Sequence, residues 1–121
     1  MTTIPEFVAD LCAADPALTH VLDEHVADND QFLPHVFMAD VTRWLCADRG
    51  PGTVRNVVRV IADHFERGES DVRDVILASF LENLEPDAAP DQAVLRELPL
   101  GLTAARRDID RWFEGPTDHP A

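Results

Sequence analysis

Asp40 is the residue most at odds with its sequence neighbours. At about 100° of rotation per helical residue it falls near the middle of the apolar stripe of Leu33, Val36, Phe37, Val41 and Trp44, which aims an ionised carboxylate at the interior. Such a group must find a partner, because an unpaired buried charge is costly. Two readings stand side by side: a structural pair with an Arg or with free N–H groups at a helix start, or a binding or acid–base group. Ser79, Glu82 and Asn83 raise the same question. Their i, i+3, i+4 spacing gathers three polar side chains on one side of an otherwise apolar helix, as a hydrogen-bonded network or as the heart of a partner-binding groove.

Other reactive residue types lack the spacing that chemistry needs. Of the five His, His20 and His25 are five apart and diverge by about 140° on a helix, so they do not ligate one ion together. His25 and His64 read as core or interface residues, and His35 and His119 carry no signal. No His-Glu-x-x-His or Glu-x-x-His motif supports a zinc or di-iron site. Neither Cys12 nor Cys46 has a basic neighbour in sequence, and Gly-x-Ser-x-Gly and Gly-rich phosphate loops are absent. No enzyme, cofactor or metal is expected.

Charge carries more information. The first 42 residues hold eight acids, Glu6, Asp10, Asp15, Asp23, Glu24, Asp28, Asp30 and Asp40, with no Arg or Lys. Residues 43–84 are nearly balanced, with seven acids and six Arg, and residues 85–121 have eight acids and four Arg, for a net charge of −13. A block of this kind repels nucleic acid and anionic membrane and attracts a cation or a basic protein surface. Asp23, Glu24, Asp28 and Asp30 are its densest part and the first candidates for partner contact. A solvated, solubilising face is the alternative reading.

These residues are carried on helices. Apolar positions recur at i, i+3, i+4 and i+7 almost throughout, and strand alternation is almost missing. Ile4, Phe7, Val8, Leu11 and Cys12 form the first stripe, with Thr3 and Glu6 at capping-box spacing. Asp15-Pro16 opens a second helix burying Leu18, Val21, Leu22 and Val26, and Pro34 opens a third. Gly50-Pro51-Gly52 separates the third from a strongly amphipathic fourth, which Gly68 ends. A fifth is expected over 70–84, with Ser70 as N-cap, followed by a short helix at 92–98 and a last one at 103–113 that packs Ala105, Ile109, Trp112 and Phe113. The reading is an all-α single domain over 1–114, a compact irregular bundle or short superhelix of six to seven helices, with a flexible tail at 115–121. The two Cys suit a reduced, cytoplasmic protein, and the N-terminus has neither a signal peptide nor a membrane span.

Two stretches, FLPHVFMADVTRWL at 32–45 and GESDVRDVILASFLENL at 68–84, resemble a family of small acidic bacterial all-helical proteins that look like immunity proteins of polymorphic toxin systems. The resemblance covers about half the chain and places Pro34, Asp40, Glu82 and Asn83 at matching positions. It implies a cytoplasmic antitoxin that binds a cognate basic toxin, such as a nuclease, and occludes its active site. An acidic helical protein suits that task physically, because a cleft that holds phosphate must be basic. A nucleic-acid mimic and a helical-repeat adaptor that binds through an apolar groove are the competing readings.

Overall fold

In the computed structural model, residues 1–114 are described, except for the side chains of Phe113 and Glu114. The expected packing of Phe113 and the expected tail at 115–121 lie outside them. Seven helices follow in order: α1 (Ile4–Ala14), α2 (Ala17–Asn29), α3 (Pro34–Leu45), α4 (Pro51–Arg67), α5 (Ser70–Ser79), α6 (Ala89–Arg96) and α7 (Leu100–Glu114), with a 3-10 turn at Leu81–Asn83. There is no strand among the described residues. The all-α expectation holds, and the arrangement is a compact bundle.

α4 is its hub, packing against α1, α5, α6 and α7. Its sequence explains why. Val54, Val57, Val58, Ile61 and Phe65 form the buried stripe as expected, and Arg55, Asn56, Arg59, Asp63 and Glu66 are exposed opposite them. Pro51 is tolerated in the first turn because its missing N–H would have no helical partner there. α3 packs on α5 and α2, so Phe37, Met38, Val41 and Leu45 join Val72, Val75 and Ile76 in one core.

Gly68 ends α4 in extended backbone at φ −79°, so left-handed geometry is not the reason for glycine here. A Cβ at this position would collide with the His64 carbonyl oxygen and sit 2.7 Å from Val72 Cγ1. Only a residue without a side chain lets α5 turn back this closely on α4. The N-terminal segment fastens the same corner: Thr2 N–H donates to the Arg67 carbonyl and Glu69 N–H donates to the Thr2 carbonyl, both at 2.8 Å.

Several expected details are corrected. The fifth helix stops at Ser79 rather than Leu84, and Glu69, not Ser70, stands at its N-cap. The interruption has one local cause and one tertiary cause. The Ser79 carbonyl is taken by the Asn83 side-chain amide at 2.9 Å and by the Thr42 hydroxyl at 2.9 Å, while Asn83 N–H moves to the Phe80 carbonyl. The sixth and seventh helices each begin three residues earlier than expected. Val26, Val36 and Trp112, expected inside, are exposed.

Candidate functional site

α2 lies at the edge of the bundle, packing chiefly on α3 and α1. It buries only Leu18 and His25, and it starts one residue later than expected, at Ala17 with Pro16 at the N-cap position; the Asp15 carboxylate still supplies the capping bond, accepting the Ala17 N–H at 2.9 Å. The eight acids of the first 42 residues now divide into two sets. Glu6 completes the capping box with Thr3, Asp15 caps α2, Asp10 accepts from His64 Nε2 at 2.7 Å, and Asp40 pairs with Arg43 beside His25. These four serve the fold. Asp23, Glu24, Asp28 and Asp30 are exposed, and none of them meets an Arg or His in an ion pair among the described residues.

That second set is placed where the helix resists it. A helix C-terminus carries partial negative charge and favours cations, yet α2 has no basic residue in its last turn and holds Asp28 there, with Asp30 just beyond. Glu24 and Asp28 also stand at i, i+4, where like charges repel. The face therefore carries uncompensated negative potential that an external cation would relieve.

His25 fixes the end of this face. Its ring is buried against Phe32 and Phe37, and Nε2 accepts the Leu33 N–H at 2.9 Å. Its Nδ1 lies 3.2 Å from the Asn29 side-chain nitrogen and 3.6 Å from Asp40 Oδ2. Asn29 donates to the His25 carbonyl at 2.8 Å. Together these bonds tie the α2–α3 connection down, with Asp28 and Asp30 held on its outer side.

Asp40 itself does not point at the centre of the core. The buried face of α3 is Phe37, Met38, Val41, Thr42 and Leu45, rotated by roughly 100° from the expected stripe at 3.6 residues per turn. The Asp40 side chain remains 26 % exposed. The structural-pair reading describes its surroundings, with His25 and Arg43 as partners.

The Ser79, Glu82 and Asn83 cluster is not a patch, because the helix breaks within it. Ser79 is buried, and its hydroxyl meets His35 Nδ1 at 2.9 Å. Asn83 closes the end of α5 and lines a cavity with Thr42, Arg43 and Cys46. Glu82 instead lines a groove with Phe65, Leu77, Ile109 and Trp112.

Two features were missed in the sequence. One is an array of buried Thr2 and His64 with the exposed Asp10, with Thr2 Oγ1 on His64 Nδ1 at 2.8 Å and Asp10 on Nε2. Its order suggests a nucleophile, base and acid, but Thr2 is fixed through both backbone groups, and the array ties the N-terminal segment to α4. The signal was present, since Val57, Ile61 and His64 follow i, i+4, i+7. The other is the setting of Cys46, whose thiol is pushed up to about 12 by burial and then by the neighbouring Asp91, which leaves it protonated and unreactive at neutral pH. Both Cys are free. No group of three or more His, Cys, Asp or Glu positioned to hold a metal occurs among the described residues, and no helix among them is long and apolar enough to cross a membrane.

A family model described as a domain of unknown function (DUF7674) matches residues 8–112. No curated protein and no solved structure matches the chain.

Proposed function

We propose that this chain, which belongs to the DUF7674 family, is a small acidic immunity protein that binds a cognate basic toxin, such as a nuclease, and inactivates it by covering the cations of its active site. The observation that carries this reading is the division of the N-terminal acids: four serve the fold, and the four on α2 and at its end are exposed and unpaired. Complementary potential steers encounter and fixes orientation more than it adds raw affinity. Asp23, Glu24, Asp28 and Asp30 would meet Arg and Lys that otherwise hold phosphate. Asp40 sits behind them and acts through His25 on the α2–α3 connection, and Asn83 and Glu82 lie elsewhere. No chemistry is performed by the chain itself.

The test is capture from the native lysate at about 50 and 500 mM salt, a range over which screening separates charge-driven from apolar binding. A basic protein is expected, recovered well only at low salt, with its toxic activity blocked at one-to-one stoichiometry. The Asp23→Asn, Glu24→Gln, Asp28→Asn, Asp30→Asn variant should lose at least tenfold in affinity. Equal binding by that variant at low salt refutes the electrostatic mechanism.

One observation favours a second reading, a protein-interaction adaptor. Trp112 is 79 % exposed at the edge of the Glu82 groove, and exposed Trp is a frequent interface anchor. Salt-insensitive capture of a non-basic partner, lost in Trp112→Ala, would support it instead.

A further inference from the structure

We propose that the cleft between the α3–α4 turn and α6 binds a small organic anion, a carboxylate on a short apolar body. The cleft has a volume of about 510 Å³, within the roughly 300–1,000 Å³ common for ligand pockets. Its floor is the buried pair Leu45 and Val54, and Pro51, Pro90 and Ala93 are among its walls. Arg49 from the turn and Arg96 from the last turn of α6 also line it.

Of the 10 Arg, five have no carboxylate within 4.0 Å among the described residues, and Arg49 and Arg96 are the two of these that line this cleft together. Glu97, the acid beside Arg96, is turned to Arg55 at 3.1 Å, which leaves Asp48 as the acid of the lining without an Arg. Arg49 is held in place from within: Nε donates to the Trp44 carbonyl at 2.8 Å, and the guanidinium lies 4.5 Å over the Trp44 ring. Its terminal N–H groups remain available in a fixed plane, the arrangement that suits a carboxylate.

The apolar floor and single uncompensated acid set the ligand class. A multiply charged phosphate would leave the floor unfilled and meet repulsion from Asp48 and from the −13 background, whereas a monocarboxylate matches the guanidinium groups and covers Leu45 and Val54. The cleft shares no residue with the α2 face, so the two proposals stand or fall separately.

The experiment is an amide-shift NMR titration of the full chain with 3-phenylpropionate, 3-phenylpropan-1-ol and inorganic phosphate at low salt. Saturable shifts around Leu45, Val54 and Ala93 are expected for the carboxylate, with Kd on the order of 1 mM for a ligand this small. The alcohol should bind about tenfold more weakly, as loss of a charge-assisted hydrogen bond implies. Arg96→Gln, an exposed change, should weaken the carboxylate about tenfold and leave the alcohol unchanged; Arg49→Gln should act in the same direction, and its spectrum reports whether the turn is intact. Equal binding of acid and alcohol, an unaffected Arg96→Gln, phosphate binding as tight as 3-phenylpropionate, or no saturation by about 20 mM at an expected millimolar Kd would each overturn the proposal.

Discussion

Replacing Glu6, Asp10, Asp15 and Asp40 with Ala, and replacing Asp23, Glu24 and Asp28 with Ala together with Asp30→Asn, remove the same charge: each quartet takes the chain from −13 to −9. Asn is chosen at 30 because this residue has φ +58°, which Asn tolerates. Any change in overall self-repulsion is thus common to both variants, and what differs is local. Losing the Asp15 cap costs about 1 kcal/mol, and losing the Glu6 half of the capping box about 0.5. Asp10→Ala strips the buried His64 Nε2–H of its acceptor, at about 1–3 kcal/mol, and Asp40→Ala removes the carboxylate beside His25, at about 1. Together these come to roughly 3–6 kcal/mol, against a total of about 6–18 kcal/mol for a chain of 121 residues at about 0.05–0.15 per residue. The α2 quartet breaks no bond and should stay within about 1 kcal/mol of the parent, since exposed substitutions rarely exceed ~0.5 each. Urea unfolding followed by circular dichroism reads both. With an m-value of about 1–3 kcal/mol/M, the first quartet should lower the midpoint by about 2 M and the second by less than ~0.5 M. Equal shifts would refute the division of the acids into structural and free sets.

Further outcomes follow from the same contacts. Cys46 should react with iodoacetamide at pH 8 about a thousandfold more slowly than a thiol at the ordinary 9.0, because its thiol is pushed up to about 12 and only the thiolate attacks; mass spectrometry of the alkylated peptide checks this, and urea should abolish the protection. The folded state keeps that proton while the unfolded chain loses it, so this group's contribution to stability is intact below pH 9.0 and falls as pH rises from 9.0 towards about 12. Gly68→Ala should cost about 1–3 kcal/mol by forcing α4 and α5 apart, measured as a lowered melting temperature. Thr42→Val keeps the volume but removes the hydroxyl shared between the Met38 and Ser79 carbonyls, and should cost about 1 kcal/mol in the same assay.

Helical periodicity made α4 legible almost residue by residue, because its stripe is strongly two-sided and a helix with one apolar face has only one way to lie on a core. The Thr3–Glu6 box and the Asp15 cap were legible for a related reason: their partners lie within three residues, so spacing alone specifies the geometry. α3 was misread because Met38 and Thr42 were left out of its apolar stripe, which displaced the expected face and with it Asp40. The end of α5 was illegible in principle. It depends on Thr42, 37 residues away, taking a carbonyl that the local pattern would assign to the helix.

The candidate site divides along the same line. By itself the sequence determined the helix class, the concentration of negative charge in the first 42 residues and its densest part at Asp23, Glu24, Asp28 and Asp30, since composition and short-range spacing are properties of the chain. Only the tertiary structure decided which acids are used internally. It brought His64 to Asp10, His25 to Asp40, and Arg49 and Arg96 to one cleft, across separations at which sequence order sets no distance. Whether a carboxylate is structural or free depends on what the fold brings within hydrogen-bonding reach of it, and that proximity exists only once the helices have packed.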